Sequence, residues 1–277
     1  MNLNEITKEK FESYVPAAQM PERSTSVYDR LQKAFERAYG VISREIVGAS
    51  FVDRVEQDEG TKEDIMALVC IMAFVNSARS LDLVLTATGF GIVSTTSTAP
   101  ASRARVDSLI EEMRLEAYER KCNLLEQLTT VEGWGASPAA ASNISTLFWN
   151  IRSMRLTILE RTADNWLWAL GQAVDADRML RREMGDDMMR RLLAHERTGS
   201  VGDLLDLIVL ECVRVMASLI SGAKNNTPPQ RCLFDDIVRM LEEHADDLPE
   251  YKNSRIYQAR HHDGYQNKAE DPTFFFM

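Results

Sequence analysis

The sequence is poor in the residues from which catalytic and metal sites are most often built. It holds four cysteines and four histidines in 277 residues. No cysteine pair has metal-ligand spacing and no His-Glu-x-x-His signature occurs, so zinc chemistry of the familiar kinds is not indicated. His261 and His262 are adjacent, and on a regular helix or strand they diverge. With Asp263 they leave a polar tail contact or a metal role open. No Gly-x-Ser-x-Gly elbow exists, and Cys122 has no histidine close in sequence to activate it. No histidine lies three residues after a glutamate, which argues against a di-iron bundle. Gly89-Phe90-Gly91 lacks both the third glycine of a dinucleotide fingerprint and the Gly-Lys-Ser/Thr of a phosphate loop, and reads as a turn. No catalytic residue, cofactor or metal is expected.

Long apolar runs are also missing. Residues 65–75 form the longest, broken by Asn76, Ser77 and Arg79, well short of the ~18 residues that span a bilayer. The first ten residues contain no apolar segment of the secretory kind. Cysteines far apart in sequence, three of them in apolar helical patterns, point to a reducing compartment. The formal net charge of -10 disfavours general binding to nucleic acid or anionic membrane. Arginines between residues 152 and 161 and between 178 and 191 read as solvated helix faces laced with carboxylates, with local basic patches the alternative.

Eight prolines and thirteen glycines leave room for long helices, and the 45% hydrophobic share is that of a chain with a core. Val27, Leu31, Phe35, Ala38, Ile42 and Ile46 recur at helical steps, with Gly48 as a stop. Thr61 and Asp64 resemble a capping box opening a deeply apolar helix through Leu81. Residues 86–102 break the pattern, with Phe90, Ile92 and Val93 as a short strand. Ser102 then caps a helix through Leu128, and residues 132–143 form a second irregular stretch. A last helix covers about 231–245, Pro249 ends the helical region, and the chain from 253 reads as an extended tail. The expectation is an all-α multi-helix bundle with irregular loops and an extended C-terminal tail. Its parts are a helical unit over 1–130, a related one over 131–248, and an arm over 249–277.

The relation between the two units rests on a shift near 139 residues. Arg44-Glu45-Ile46 before Gly48 is similar to Arg182-Glu183-Met184 before Gly185. Thr61 to Ile65 is similar to Ser200 to Leu204, and Leu68, Val69, Ala78 and Leu81 pair with Leu207, Ile208, Ala217 and Ile220. Duplication and convergent helical patterning both account for this.

The aromatics offer interface candidates. Trp166 and Trp168 straddle a helix, so one of them points away from the immediate core. Trp134 stands between glycines in a loop, and Phe148-Trp149 lie in a further apolar segment. These read either as packing or as anchors for another chain. Phe90, Tyr257, Tyr265, Phe274, Phe275 and Phe276 complete the candidate set. The tail can fold back on its own chain or dock on a neighbour.

Leu81-Asp-Leu-Val-Leu-Thr-Ala-Thr-Gly-Phe-Gly-Ile-Val-Ser94, followed by Ala99-Pro-Ala-Ser-Arg103-Ala-Arg-Val106, resembles a block in helical proteins of unknown function from Bacteroidetes phages and prophages. The aromatic ending from Asn267 to Phe276 is similar to that family's tail. The resemblance covers roughly a tenth of the chain and carries over no catalytic residue. It implies a virion structural subunit of the head–tail connector or neck. Such a subunit would be non-enzymatic, would form a ring with itself or dock on a portal, and would move from host cytoplasm to virion. A monomeric helical adaptor for one protein partner is the alternative. An enzyme of unrecognised type, with His195 or His244 among carboxylates in a pocket, is a third reading.

Overall fold

A computed structural model describes residues 3–16, 27–81, 83–86, 89–92 and 103–262, of which 83–86 and 89–92 are described as backbone. The fold is all-α, with one two-stranded hairpin, and is built on two apolar cores.

The first core gathers α1 (Lys8–Tyr14), α2 (Val27–Arg30), α3 (Gln32–Val41), α4 (Val52–Val55), α5 (Glu59–Ser77), α6 (Arg103–Thr129) and α7 (Pro138–Asn143). α5 is its centre: residues 65–71 are buried without interruption, as befits a helix apolar on every side. Each such Ile, Leu or Val contributes roughly 1.5–3 kcal/mol when fully buried. Its N-cap is Asp58, not the expected Thr61. The Asp58 carboxylate accepts the Thr61 N–H at 2.8 Å and the Thr61 hydroxyl at 2.7 Å, so the helix starts a turn earlier. α3 runs on into a π turn, Ile42–Val47, which stops at Gly48 with φ of +86°.

β1 (Leu83–Thr86) and β2 (Gly89–Ile92) follow α5 as an antiparallel hairpin, Leu83 opposite Ile92 and Thr86 opposite Gly89. The expected strand at Phe90 and Ile92 is present. Val93, the rest of the loop and the expected cap Ser102 lie outside the described residues.

The second core is formed by α8 (Ala163–Met184), α9 (Asp186–Arg197), α10 (Asp203–Lys224), α11 (Asp235–Glu243), α12 (Pro249–Lys252) and α13 (Arg255–Arg260). Ala169, Ala173 and Ala176 give α8 a small-residue face within this core, and Cys212, Met216 and Ile220 of α10 are fully buried. α6 serves both cores: Leu124, Leu125 and Leu128 belong to the first and Cys122 to the second. At 27 residues it is roughly 40 Å long.

Three expectations about the second half need correction. The first core does not end at residue 130, because Trp134, Ala140, Ile144 and Trp149 pack into it. Residues 132–143 are not wholly irregular: Ser137 accepts the Ala140 N–H and Pro138 occupies the first turn, which makes α7. The chain is not extended from 249 to 260 either. Pro249 opens α12 instead of closing a helix, Ser254 caps α13, and Tyr251 is fully buried in the second core.

The two halves share an order of elements: a long helix, a positive-φ glycine (Gly48, Gly185), a shorter helix and a buried helix. Burial follows this order only in part. Val69 and Ile208 are both buried, whereas Leu68 is buried and its counterpart Leu207 is 55% exposed.

Candidate functional site

Of the aromatic candidates, Trp134, Phe148 and Trp149 lie inside the molecule. Trp134 is fully buried, and its indole N–H donates to the Val47 carbonyl at 2.9 Å. That carbonyl ends the π turn and would otherwise be one of the orphan acceptors of a helix C-terminus. Nearby, the Asn143 amide donates to the Glu45 carbonyl at 2.7 Å. The glycines flanking Trp134 serve the local fold: Gly133 takes a φ of +82°, and a Cβ on Gly135 would sit 2.5 Å from the Arg197 carbonyl oxygen.

Phe148 is fully buried against Trp166, and Trp149 donates its indole N–H to Glu196 at 2.8 Å. Neither can anchor another chain in this fold. Instead they bind the two cores together, because a Trp or Phe in a sealed interior has already spent its apolar surface on its own chain. Trp168 is the outward member of the straddling pair, with the Lys224 ammonium 5.2 Å from its ring centre. Tyr257 is half-buried, edge-on to Tyr251 and stacked on His261, so this part of the tail docks on its own chain. Phe90 lies in β2; Tyr265, Phe274, Phe275 and Phe276 lie outside the described residues.

The histidines are dispersed. His195 is buried with Nε2 2.6 Å from Asp206 Oδ1, which holds the Asp206 carboxyl below its ordinary range. His244 is exposed and His261 sits 3.1 Å from Glu242. Among the described residues no three His, Cys, Asp or Glu side chains gather to hold a metal. Burial pushes the Cys70 thiol up to about 12 and also raises Cys122 and Cys212, so these stay protonated and inert. The arginine groups are ion-paired, as a solvated face requires: Arg152 to Glu126, Arg161 to Glu119, Arg178 to Asp175 and Arg191 to Glu250.

Of the hollows among the described residues, two bear on a candidate site. A broad cleft of about 900 Å³ opens between the start of α5 and the end of α6. Several of its polar groups answer one another: Gln127 donates to Asp64, Arg54 to the Glu132 carbonyl, and Arg152 to Glu126, whereas the buried Gln127 Oε1 has no partner among the described residues.

The second is a groove of about 280 Å³ between the π turn, α5 and α6. Ile46, Leu68, Met72 and Val75 supply its apolar wall, while Glu45 and Lys121 supply charge. Lys121 is half-buried, and desolvation lowers the pKa of its amine despite the nearby Glu45 carboxylate. No sequence pattern singled this lysine out, because the groove's wall comes from elements far apart in sequence.

Residues 22–144 match the model of a family of unknown function, DUF6712. That stretch takes in α2 to α7, the whole groove, and the block at 81–94 and 99–106 that carries the resemblance. The matched family has no assigned role. No curated protein and no solved structure matches the chain. Among the described residues no helix is long and apolar enough to cross a membrane.

Proposed function

We propose that the protein is a non-enzymatic structural subunit that assembles with copies of itself or on a portal-like ring, as a phage or prophage head–tail connector or neck component. It would assemble in host cytoplasm and end in the virion. The observation that carries this reading is the hairpin between α5 and α6. Its strands read Leu-Val-Leu-Thr and Gly-Phe-Gly-Ile, and they pair with each other alone among the described residues. A two-stranded hairpin is marginal by itself in water. Neither outer edge pairs with a further strand among the described residues, and a strand edge of that kind can template one.

Two further features support the reading. Leu167 and Val174 on α8, and Leu207 and Leu210 on α10, are large apolar residues left more than 40% exposed. The net charge of -10 favours protein partners over a nucleic-acid one.

Light scattering across concentration tests the proposal, on the full chain and on a chain whose residues 83–92 are replaced by a Gly-Ser linker. A discrete oligomer that becomes monomeric on replacement, with helicity unchanged by circular dichroism, is expected. A monomer in both cases would overturn self-assembly and leave docking on a preformed ring or the adaptor reading.

A further inference from the structure

We propose that the groove between the π turn, α5 and α6 is a binding site for a small carboxylate with an unbranched apolar tail. The carboxylate pairs with Lys121 Nζ and the tail lies along Ile46, Leu68, Met72 and Val75. This site is separate from assembly and stands whether or not the chain forms rings.

The first argument is an uncompensated charge. Lysine is seldom withdrawn from water without a partner. Lys121 is half-buried, yet it makes neither a hydrogen bond nor an ion pair among the described residues. Arg114 on the same wall differs: it is held by Glu111 at 3.2 Å and Asp164 at 2.8 Å. Glu45 is the carboxylate nearest in influence, but it is exposed and forms no ion pair with Lys121. An anion entering the groove meets one free cation.

The second argument is shape. About 280 Å³ lies just below the range of drug-sized ligand sites, roughly 300 to 1,000 Å³, and so suits a small ligand. A single ammonium suits a carboxylate, since phosphate sites draw on several donors, a guanidinium fork or a helix N-terminus. The apolar wall then selects for a hydrocarbon tail. A second hollow of about 260 Å³ shares Val41, Met72 and Asn76 with the groove and gives a longer tail somewhere to extend.

The third argument is the backbone. α3 ends in a π turn, a rare helical geometry, and Ile42–Val47 supplies both Glu45 and Ile46 to this wall. Asn143 takes up the Glu45 carbonyl, so the turn is braced where the groove is cut.

Titration calorimetry with hexanoate tests the site, with hexanol as the uncharged analogue. Hexanoate should bind saturably and hexanol about tenfold more weakly or worse. Lys121→Met, checked for folding by circular dichroism, should lose hexanoate affinity by about tenfold or more. Glu45→Gln should bind it more tightly. On the unsubstituted chain, hexanoate should slow acetylation of Lys121 but not of exposed Lys33. Absence of saturable hexanoate binding, equal affinity for Lys121→Met, or equal acetylation rates with and without hexanoate would each overturn the proposal.

Discussion

Trp134 and Lys121 show one rule with opposite outcomes: a polar group withdrawn from water needs a partner, and one has it while the other does not. Trp134→Phe keeps most of the buried ring but leaves the Val47 carbonyl without its donor. The loss should be about 1–3 kcal/mol, the usual cost of an unsatisfied buried acceptor. Urea denaturation would show it as a lower midpoint at unchanged slope. Val201→Ser at an 89% exposed site should change stability by less than about 0.5 kcal/mol. Glu196 carries a pH dependence of its own. Burial raises its carboxyl pKa, and the Trp149 hydrogen bond only partly opposes this. The folded state therefore holds the proton more tightly than the unfolded chain, whose pKa is roughly 4.3. Stability from this group falls as pH rises between the two values, and the penalty is complete above the folded pKa. Glu196→Gln keeps an acceptor for the indole and removes the titration. The variant should gain stability relative to the unsubstituted chain between about pH 4 and pH 7; a constant difference would refute the assignment.

At the scale of elements, the start of α5 is the sharpest case. Asp58→Ala removes the acceptor for the Thr61 N–H and hydroxyl and should cost about 0.5–2 kcal/mol, read by thermal unfolding. The capping-box spacing of Thr61 and Asp64 made Thr61 look like the beginning, although the side chain that caps is Asp58. Elements whose burial follows a local period were legible: the stripe from Val27 to Ile46 and the long α6 are helical as the spacing predicts, and α5 is helical with its start a turn earlier and its end at Ser77 instead of Leu81. Only half of the hairpin was, because Leu83-Val-Leu continues a helical apolar run and short runs of that kind do not distinguish strand from helix. α12 and α13 were not, since a proline that begins a helix looks locally like one that ends it. The interior aromatics were illegible for a different reason. Trp134 finds its acceptor 87 residues away, and only tertiary packing brings the two together. The Lys121 groove has the same origin, with walls from α3, α5, α6 and α7.

At the scale of the whole molecule, the test of a C-terminal arm depends on where the chain is cut. α13 belongs to the second core's surface. Arg260 donates to the Glu183 carboxylate at 2.7 Å, to the Glu183 carbonyl at 2.9 Å and to the Tyr251 hydroxyl at 2.9 Å. Tyr257 meanwhile covers Tyr251 edge-on at 5.4 Å. A chain ending at Lys252 loses all of these contacts and should be less stable by about 2–3 kcal/mol, the order of one buried aromatic side chain. Loss of assembly in that chain would report damage to the core as readily as loss of an arm. A chain ending at His262 keeps α13 and removes only residues 263–277, with Phe274, Phe275 and Phe276. The arm reading predicts that this chain melts at the same temperature as the full one, yet scatters light as a smaller species. If it assembles as the full chain does, the three phenylalanines play no part in joining subunits. The hairpin between α5 and α6 is then left to hold neighbouring copies together.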